Sequence, residues 1–127
     1  MAKTVQDVMM PEPVTVDAQM SIKAAAHMMR TWDVREVLVV ENGQLRGLLT
    51  DRDVVVIAIA AGRHPATIPA GECCDTDVPK VSADDTADRA AEIMGQEGSR
   101  RLPVVDGDGR LVGTVWASDI DLARSDR

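Results

Sequence analysis

The sequence predicts an α+β/α-β fold of two β-α-β-β-α repeats with pseudo-two-fold symmetry. Three observations point to it. The chain reads twice, and both copies carry the same order of extended and helical patterns. The strand-like runs are short and almost continuously apolar, which calls for cover on both faces of each sheet. The composition is that of a globular protein, 45% hydrophobic and 28% charged over 127 residues. The first copy is "VQDVMMPEPVTVDAQMSIKAAAHMMRTWDVREVLVVENGQLRGLLTDRDV" and the second is "AGECCDTDVPKVSADDTADRAAEIMGQEGSRRLPVVDGDGRLVGTVWASDI". Val16 aligns with Val81, Ala25 with Ala90, Met29 with Met94 and Arg35 with Arg100. After one inserted residue in the second turn, Gly47 aligns with Gly113 and Asp53 with Asp119. A long period that occurs twice describes paired half-domains rather than a solenoid.

Each copy opens with an extended piece, Val14-Thr15-Val16 or Pro79-Lys80-Val81. An amphipathic helix follows, with Ser21 or Thr86 placed as N-cap. Its apolar stripe is Ile22, Ala25, Ala26 and Met29 in copy one, and Ala87, Ala90, Ala91 and Met94 in copy two. Both stripes have the i, i+3, i+4, i+7 spacing of a half-buried helix. Two strands joined by a tight turn come next: Val37–Val40 and Leu45–Leu49 around "ENGQ", then Leu102–Val105 and Leu111–Val115 around "DGDG". Asn-Gly and Asp-Gly pairs are hairpin signals. A second helix closes each copy. One is expected from about Asp51 to Ala61, stopping at Gly62, and the other from Ala117 or Ser118 to Ala123.

This grammar puts repeat one at residues 1–62, a linker at 63–72 and repeat two at 73–127, together one compact module. The stretch "GRHPATIPAGE", with His64 and two prolines, reads as a surface loop. Cys73 and Cys74 occupy the slots of Val8 and Met9, which marks them as reduced, buried thiols. A disulfide between neighbours is strained, and no CxxC spacing exists. With His27 and His64 far away in sequence, no metal site is expected.

Composition narrows the function. Aromatics make up 2% of the chain, Trp32 and Trp116 alone, so base stacking on nucleic acid is not expected. The formal net charge is -7, and the basic residues are scattered rather than gathered into a stripe. A duplex-binding surface is therefore not expected, although local arginines can hold a small anion. The N-terminus carries no apolar segment of signal-peptide length, and the run Val54–Ala61 is too short to span a bilayer. A cytoplasmic protein with no membrane partner is expected. There is no GxSxG, HExxH, P-loop or GxGxxG, and "DGDG" does not complete a calcium loop.

The polar residues that interrupt the apolar runs sit in "GLLTDRD", residues 47–53. Thr50 stands where a strand gives way to a helix, Arg52 follows, and Asp53 lies three residues on. Two readings stand side by side. Thr and Asp at a helix start cap free N–H groups and suit the helix dipole without any ligand. Alternatively, an acceptor-only carboxylate takes both hydroxyls of a ribose while a guanidinium takes a phosphate.

The repeated β-α-β-β-α grammar, with "VTVDAQMSIKAAAHMM", "GLLTDRDVV", "RRLPVVDGDGRLVG" and the closing "SDI", resembles a tandem pair of CBS domains, the Bateman module. The resemblance covers Val5 to Leu122. It implies a stand-alone regulatory module, not an enzyme, that binds an adenosine-type ligand between its repeats: AMP, ADP, ATP, S-adenosylmethionine or NAD. No catalytic cofactor is implied, and the adenine nucleotide is a regulatory ligand. Carried over, the main cleft combines Thr50, Arg52 and Asp53 with Val78, Pro79, Lys80, Arg100, Arg101, Leu102 and Pro103. The second cleft combines Trp116, Ser118 and Asp119 with Val14, Thr15, Val34, Arg35, Glu36, Val37 and Leu38. This second cleft is degraded. Trp116 replaces Thr50 and cannot accept a capping hydrogen bond, Glu36 stands in the position of Arg101, and Leu38 in that of Pro103. It is expected to be empty or to take a less charged ligand.

The resemblance also implies a homodimer and a protein partner that the sequence does not name. The apolar faces of the alanine-rich and Val/Ile-rich helices agree with a dimer. The alternative function is a ligand-independent dimeric interaction scaffold.

Overall fold

The computed structural model describes residues 3–11 and 13–125. The chain divides into two compact units. One spans Val14–Val78; the other joins the chain up to Pro13 with everything from Pro79 onward.

The Val14–Val78 unit contains β1 (Thr15–Asp17), α2 (Ile22–Trp32), β2 (Glu36–Glu41), β3 (Gln44–Thr50), α3 (Asp51–Val54) and α4 (Ala70–Cys73). The other contains α1 (Val5–Val8), β4 (Val81–Ser82), α5 (Ala87–Glu97), β5 (Arg101–Val105), β6 (Leu111–Trp116) and α6 (Ala117–Ser125). Each unit has a three-stranded sheet, ordered β1-β2-β3 or β4-β5-β6. In both, the first pair is parallel and crossed over by the long helix, and the second is an antiparallel hairpin.

The local chemistry matches the elements it predicts. Ser21 Oγ accepts from the Ala24 N–H at 3.1 Å, and Thr86 Oγ1 from the Arg89 N–H at 3.1 Å. Ile22, Ala25 and Met29 are buried along α2, and Ala87, Ala90 and Met94 along α5. The first hairpin turns through Asn42 and Gly43, at φ 53 and 81, the pair of left-handed residues that a two-residue type I′ turn needs. The second turn is longer, and Asp106 Oδ1 holds it by accepting from the N–H groups of Asp108 and Arg110 at 2.9 and 3.0 Å. Each unit buries its own core: Val16, Ile22, Val37, Val39, Leu49 and Ile68 in one, Val5, Val81, Leu102, Val104, Val115 and Ile120 in the other. No helix among the described residues is long and apolar enough to cross a membrane.

Two features depart from the sequence reading. The helix after Thr50 winds as α only through Val54 and continues as a π-helix, Val55–Ala60, with the Ala61 N–H donating to the Val56 carbonyl at 3.2 Å. Four consecutive β-branched residues, Val54 to Ile57, crowd an α-helical turn, and the wider winding relieves that crowding.

The second departure is the stretch 62–72, which is not a loop throughout. It folds into a 3-10 turn, Pro65–Thr67, and then α4, and Ile68 and Ala70 are fully buried. Ile68 accepts from the Ile22 N–H at 2.9 Å, and the Ala70 N–H donates to the Met20 carbonyl at 2.7 Å. An apolar side chain at that position removes more surface from water than a solvated loop would allow. In the other unit α1 plays the same part: the Val5 N–H donates to Asp85 and the Gln6 N–H to Ala83, at 2.8 and 3.0 Å. The short helix that opens each sequence copy thus packs in the unit of the other copy. The boundary between compact units is not the boundary between repeats.

Candidate functional site

The end of β3 delivers Thr50, and α3 begins at Asp51, whose N–H donates to the Arg35 carbonyl at 2.9 Å. Thr50 and Asp53 form a reciprocal capping box. Thr50 Oγ1 accepts from the Asp53 N–H at 3.1 Å, and Asp53 Oδ2 accepts from the Thr50 N–H at 2.9 Å. The capping reading is therefore realised, and it does not exclude the other one. A carboxylate has about four acceptor positions, and one backbone N–H uses one of them. The cap locks the orientation of a half-buried carboxylate whose remaining lone pairs are unused by it. Arg52 beside it is exposed.

The same junction in the other unit is built differently. The Ala117 N–H donates to the Arg100 carbonyl at 2.7 Å, repeating the Arg35–Asp51 contact. Trp116 and Asp119 stand where Thr50 and Asp53 stand, but no reciprocal hydrogen-bond pair joins them among the described residues. Trp116 pairs across the hairpin with Arg101, whose guanidinium lies over the indole at 5.1 Å from the ring centroid. Trp116 is 41% exposed. The equivalent cross-strand pair in the first hairpin is Glu36 with Thr50.

The other predicted residues fall into three groups. Val78 and Pro79 are half-buried and Lys80 is exposed, just ahead of β4; Val14, Thr15 and Val34 are half-buried, and Arg35, Arg100 and Ser118 are exposed. Pro103 and Leu38 are buried in β5 and β2. Leu102 and Val37 are fully buried in the two cores, so their side chains do not line a site; only their backbone can contribute. Strand alternation is the reason: in β5 the residue after outward Arg101 must point to the core.

Cys73 and Cys74 pack at the edge of the Val14–Val78 core, both half-buried and without a disulfide. Burial is the main cause that pushes both thiols up; Glu72 adds to it at Cys73, while Arg63 there and Arg46 at Cys74 oppose it. Among the described residues no group of His, Cys, Asp and Glu converges as a metal site. A folded-state pKa above the unfolded one means the fold holds these protons more tightly. Their stabilising contribution is present below the ordinary thiol range near pH ~8.5 and is lost as pH rises through the raised values. Alkylation by iodoacetamide should accordingly be slower than for a free thiol at pH 7.5 and should accelerate only well above pH ~8.5. A native-state rate at pH 7.5 equal to that of the urea-unfolded chain would contradict this.

Residues 5–59 and 70–123 each match the CBS domain family model, and the chain belongs to the CBS-domain family as a tandem pair. The "CBS domain-containing protein YhcV" of Bacillus subtilis is 36% identical over 117 residues, covering 92% of this chain and 82% of that protein. Among solved structures, Hypoxic Response Protein I with two coordinated zinc ions superposes with a TM-score of 0.82 at 33% identity, covering 94% of this chain and 98% of that one. Its sequence relative of that name comes from Mycobacterium tuberculosis. The CBS domain pair of protein MJ0100, in complex with 5-methylthioadenosine and S-adenosyl-L-methionine, matches with a TM-score of 0.73 at 25% identity over 99% of this chain and 98% of that one.

Proposed function

We propose that this protein is a non-catalytic regulatory module that binds an adenosine-type ligand and passes its occupancy on to a protein partner. The observation that carries the reading is the Thr50–Asp53 capping box, which holds a carboxylate in fixed orientation next to exposed Arg52. Asp53 takes the ribose hydroxyls, and Arg52, Lys80, Arg100 and Arg101 supply cations for phosphate. Val78, Pro79 and Pro103 are the apolar residues for the adenine. The adenosine-type ligands in the MJ0100 CBS pair support this choice of ligand class. The second site, with Trp116, Ser118 and Asp119, lacks the capped carboxylate and takes a less charged ligand or none. Thermal-shift titration with AMP, ADP, ATP, S-adenosylmethionine and NADH tests the reading. A ligand at 100 times its Kd stabilises the fold by about 2.7 kcal/mol. No stabilisation by any of the five at millimolar concentration would sink it.

A second reading, a dimeric scaffold that works without ligand, is favoured by the helix after Thr50. Val55, Val56 and Ile59 are exposed on it, Ile59 by 76%. The occupant we propose for that face is a second copy of the chain, since β-branched apolar side chains of this size are seldom left together in water. Sedimentation equilibrium should give a dimer that Ile59→Asp converts to monomer. A monomer for the unaltered protein at 100 times the concentration of the thermal-shift assay, on the order of 0.5 mM, rules the homodimer out.

A further inference from the structure

The two repeats close with equivalent helices that meet water differently. Counting from Asp53 and Asp119, the exposed Val55, Val56 and Ile59 of the first correspond to the exposed Asp121, Leu122 and Ser125 of α6. In the first helix Val54 and Ile57 pack on the core and Ala58 is buried in it, so Val55, Val56 and Ile59 form the outward side. From Val54 to Ala61 the chain carries no polar side chain. On α6 the same side sets a carboxylate and a hydroxyl beside Leu122. The long helices differ in charge. α2 carries exposed Lys23 and Arg30 and no acid. On α5, Asp88 stands in the place of Lys23, and Glu92 and Glu97 follow. Asp88 pairs with Arg124 and Glu92 with Arg89, each at 3.0 Å, on the surface.

Three pairings of two copies are open to these surfaces, and charge and burial separate them. The α5–α6 surface against its own copy brings like carboxylates together in a chain of net charge -7. The Val55–Ile59 surface against the α5–α6 surface of a second copy sets the cations of α2 near the acids of α5. Exposed ion pairs contribute little, however, and the contact buries Asp121 against apolar side chains. The Val55–Ile59 surface against its own copy removes apolar area from water on both sides and buries no charge. We propose that two copies associate like-with-like through Val55, Val56 and Ile59, about a two-fold axis through that patch, and that the matching side of α6 stays in water. The inference rests on the dimer reading above and adds which surfaces meet.

The test is a charge swap in the full chain, read by sedimentation equilibrium. Ile59→Asp, Ile59→Lys and Leu122→Lys all change exposed side chains, and far-UV circular dichroism checks that each variant keeps its fold. The patch is little more than one helical turn across, so Ile59 of one copy lies close to Ile59 of the other. Ile59→Asp and Ile59→Lys should each be monomeric. Their equimolar mixture should associate at least about ten-fold more tightly than either alone, because opposite charges then face each other. Leu122→Lys should dimerise within about two-fold of the unaltered chain. Association of Ile59→Asp with Leu122→Lys, but not with Ile59→Lys, overturns the like-with-like contact and leaves the dimer reading standing. So does a dimer of the unaltered chain when neither mixture associates. A monomeric unaltered chain at the concentration named above overturns both.

Discussion

Gly47→Ala and Gly113→Ala will each destabilise the protein by about 3 kcal/mol, whereas Gly95→Ala will stabilise it by about 0.5–1 kcal/mol. The same substitution changes sign because of what surrounds each position. A methyl carbon at Gly113 would lie 2.7 Å from the Met10 carbonyl oxygen and 3.0 Å from Met9 Sδ. At Gly47 it would meet the Asp75 carbonyl and, at 2.9 Å, Cys74 Sγ. These neighbours are mostly backbone and are held in place. The Leu48 N–H donates to Asp75 and the Asp75 N–H to Leu48, at 3.0 and 2.9 Å, and Met10 and Thr114 exchange the same pair at 2.7 and 2.9 Å. Relieving the clash means lifting the segment that follows α1 or α4 off its strand, so overpacking and the loss of two backbone hydrogen bonds act together. Gly95 sits on α5 with nothing within 4 Å of the added carbon, and there the gain in helix propensity stands alone. Urea midpoints at constant m-value measure all three. A Gly47→Ala protein as stable as the unaltered one would show that the segment after α4 does not press on β3.

Those glycines also mark the limit of what the sequence discloses. Gly47 and Gly113 align in the two copies, and their equivalence is plain from the repeat. The reason for them is not, because the chain that passes over each is the exit from a short helix belonging to the other copy. Hydrophobic periodicity reports which side of an element is buried, not which unit buries it, and a four-residue helix such as α1 or α4 has too few positions to show a period at all. Ile68 was the available signal: an isoleucine between Pro65 and Pro69 is an odd residue for a solvated loop. The paired strands, the caps at Ser21 and Thr86 and the Asn-Gly turn were legible because each depends on neighbours within a few residues. The site was legible in part for the same reason. Thr50 and Asp53 cap one another across three residues, a local pattern, while the stack of Arg101 on Trp116 is a matter of hairpin register. Pairing backward from the "DGDG" turn would place the two opposite each other, but the inserted residue and the bulge at Val104/Val105 obscure the count. The π-helix had no signal beyond its run of β-branched residues.

If the proposed adenosine-ligand reading holds, Asp53→Asn will weaken AMP binding about 10- to 100-fold with little loss of stability, and Asp53→Ala will lose both. The two substitutions separate the observed capping role of the carboxylate from the ribose-binding role proposed for it. As a cap, Asp53 needs only an oxygen that accepts from the Thr50 N–H, now 2.9 Å away, and an amide oxygen supplies that. As a ribose clamp it needs acceptors alone toward two hydroxyls. An amide turns one of its positions into a donor, so one hydrogen bond is lost and its hydroxyl is left facing an N–H. A hydrogen bond to a charged group contributes about 1.5–3 kcal/mol, which converts to the stated range of Kd. Asp53→Ala also leaves the Thr50 N–H without its cap, at a cost of about 1 kcal/mol in folding. The same argument forecasts ligand selectivity. The unaltered protein should prefer AMP over 2′-deoxy-AMP, and Asp53→Asn should lose most of that preference, a coupling that a double-mutant-style cycle between residue and hydroxyl measures directly. Asp119→Asn, in a junction without a capping box, should change AMP affinity by less than two-fold if phosphate binding belongs to the Asp53 site. Equal losses at Asp53 and Asp119 would mean that the two repeats contribute alike, and that the replacement of Thr50 by Trp116 in the second copy has no bearing on where the nucleotide binds.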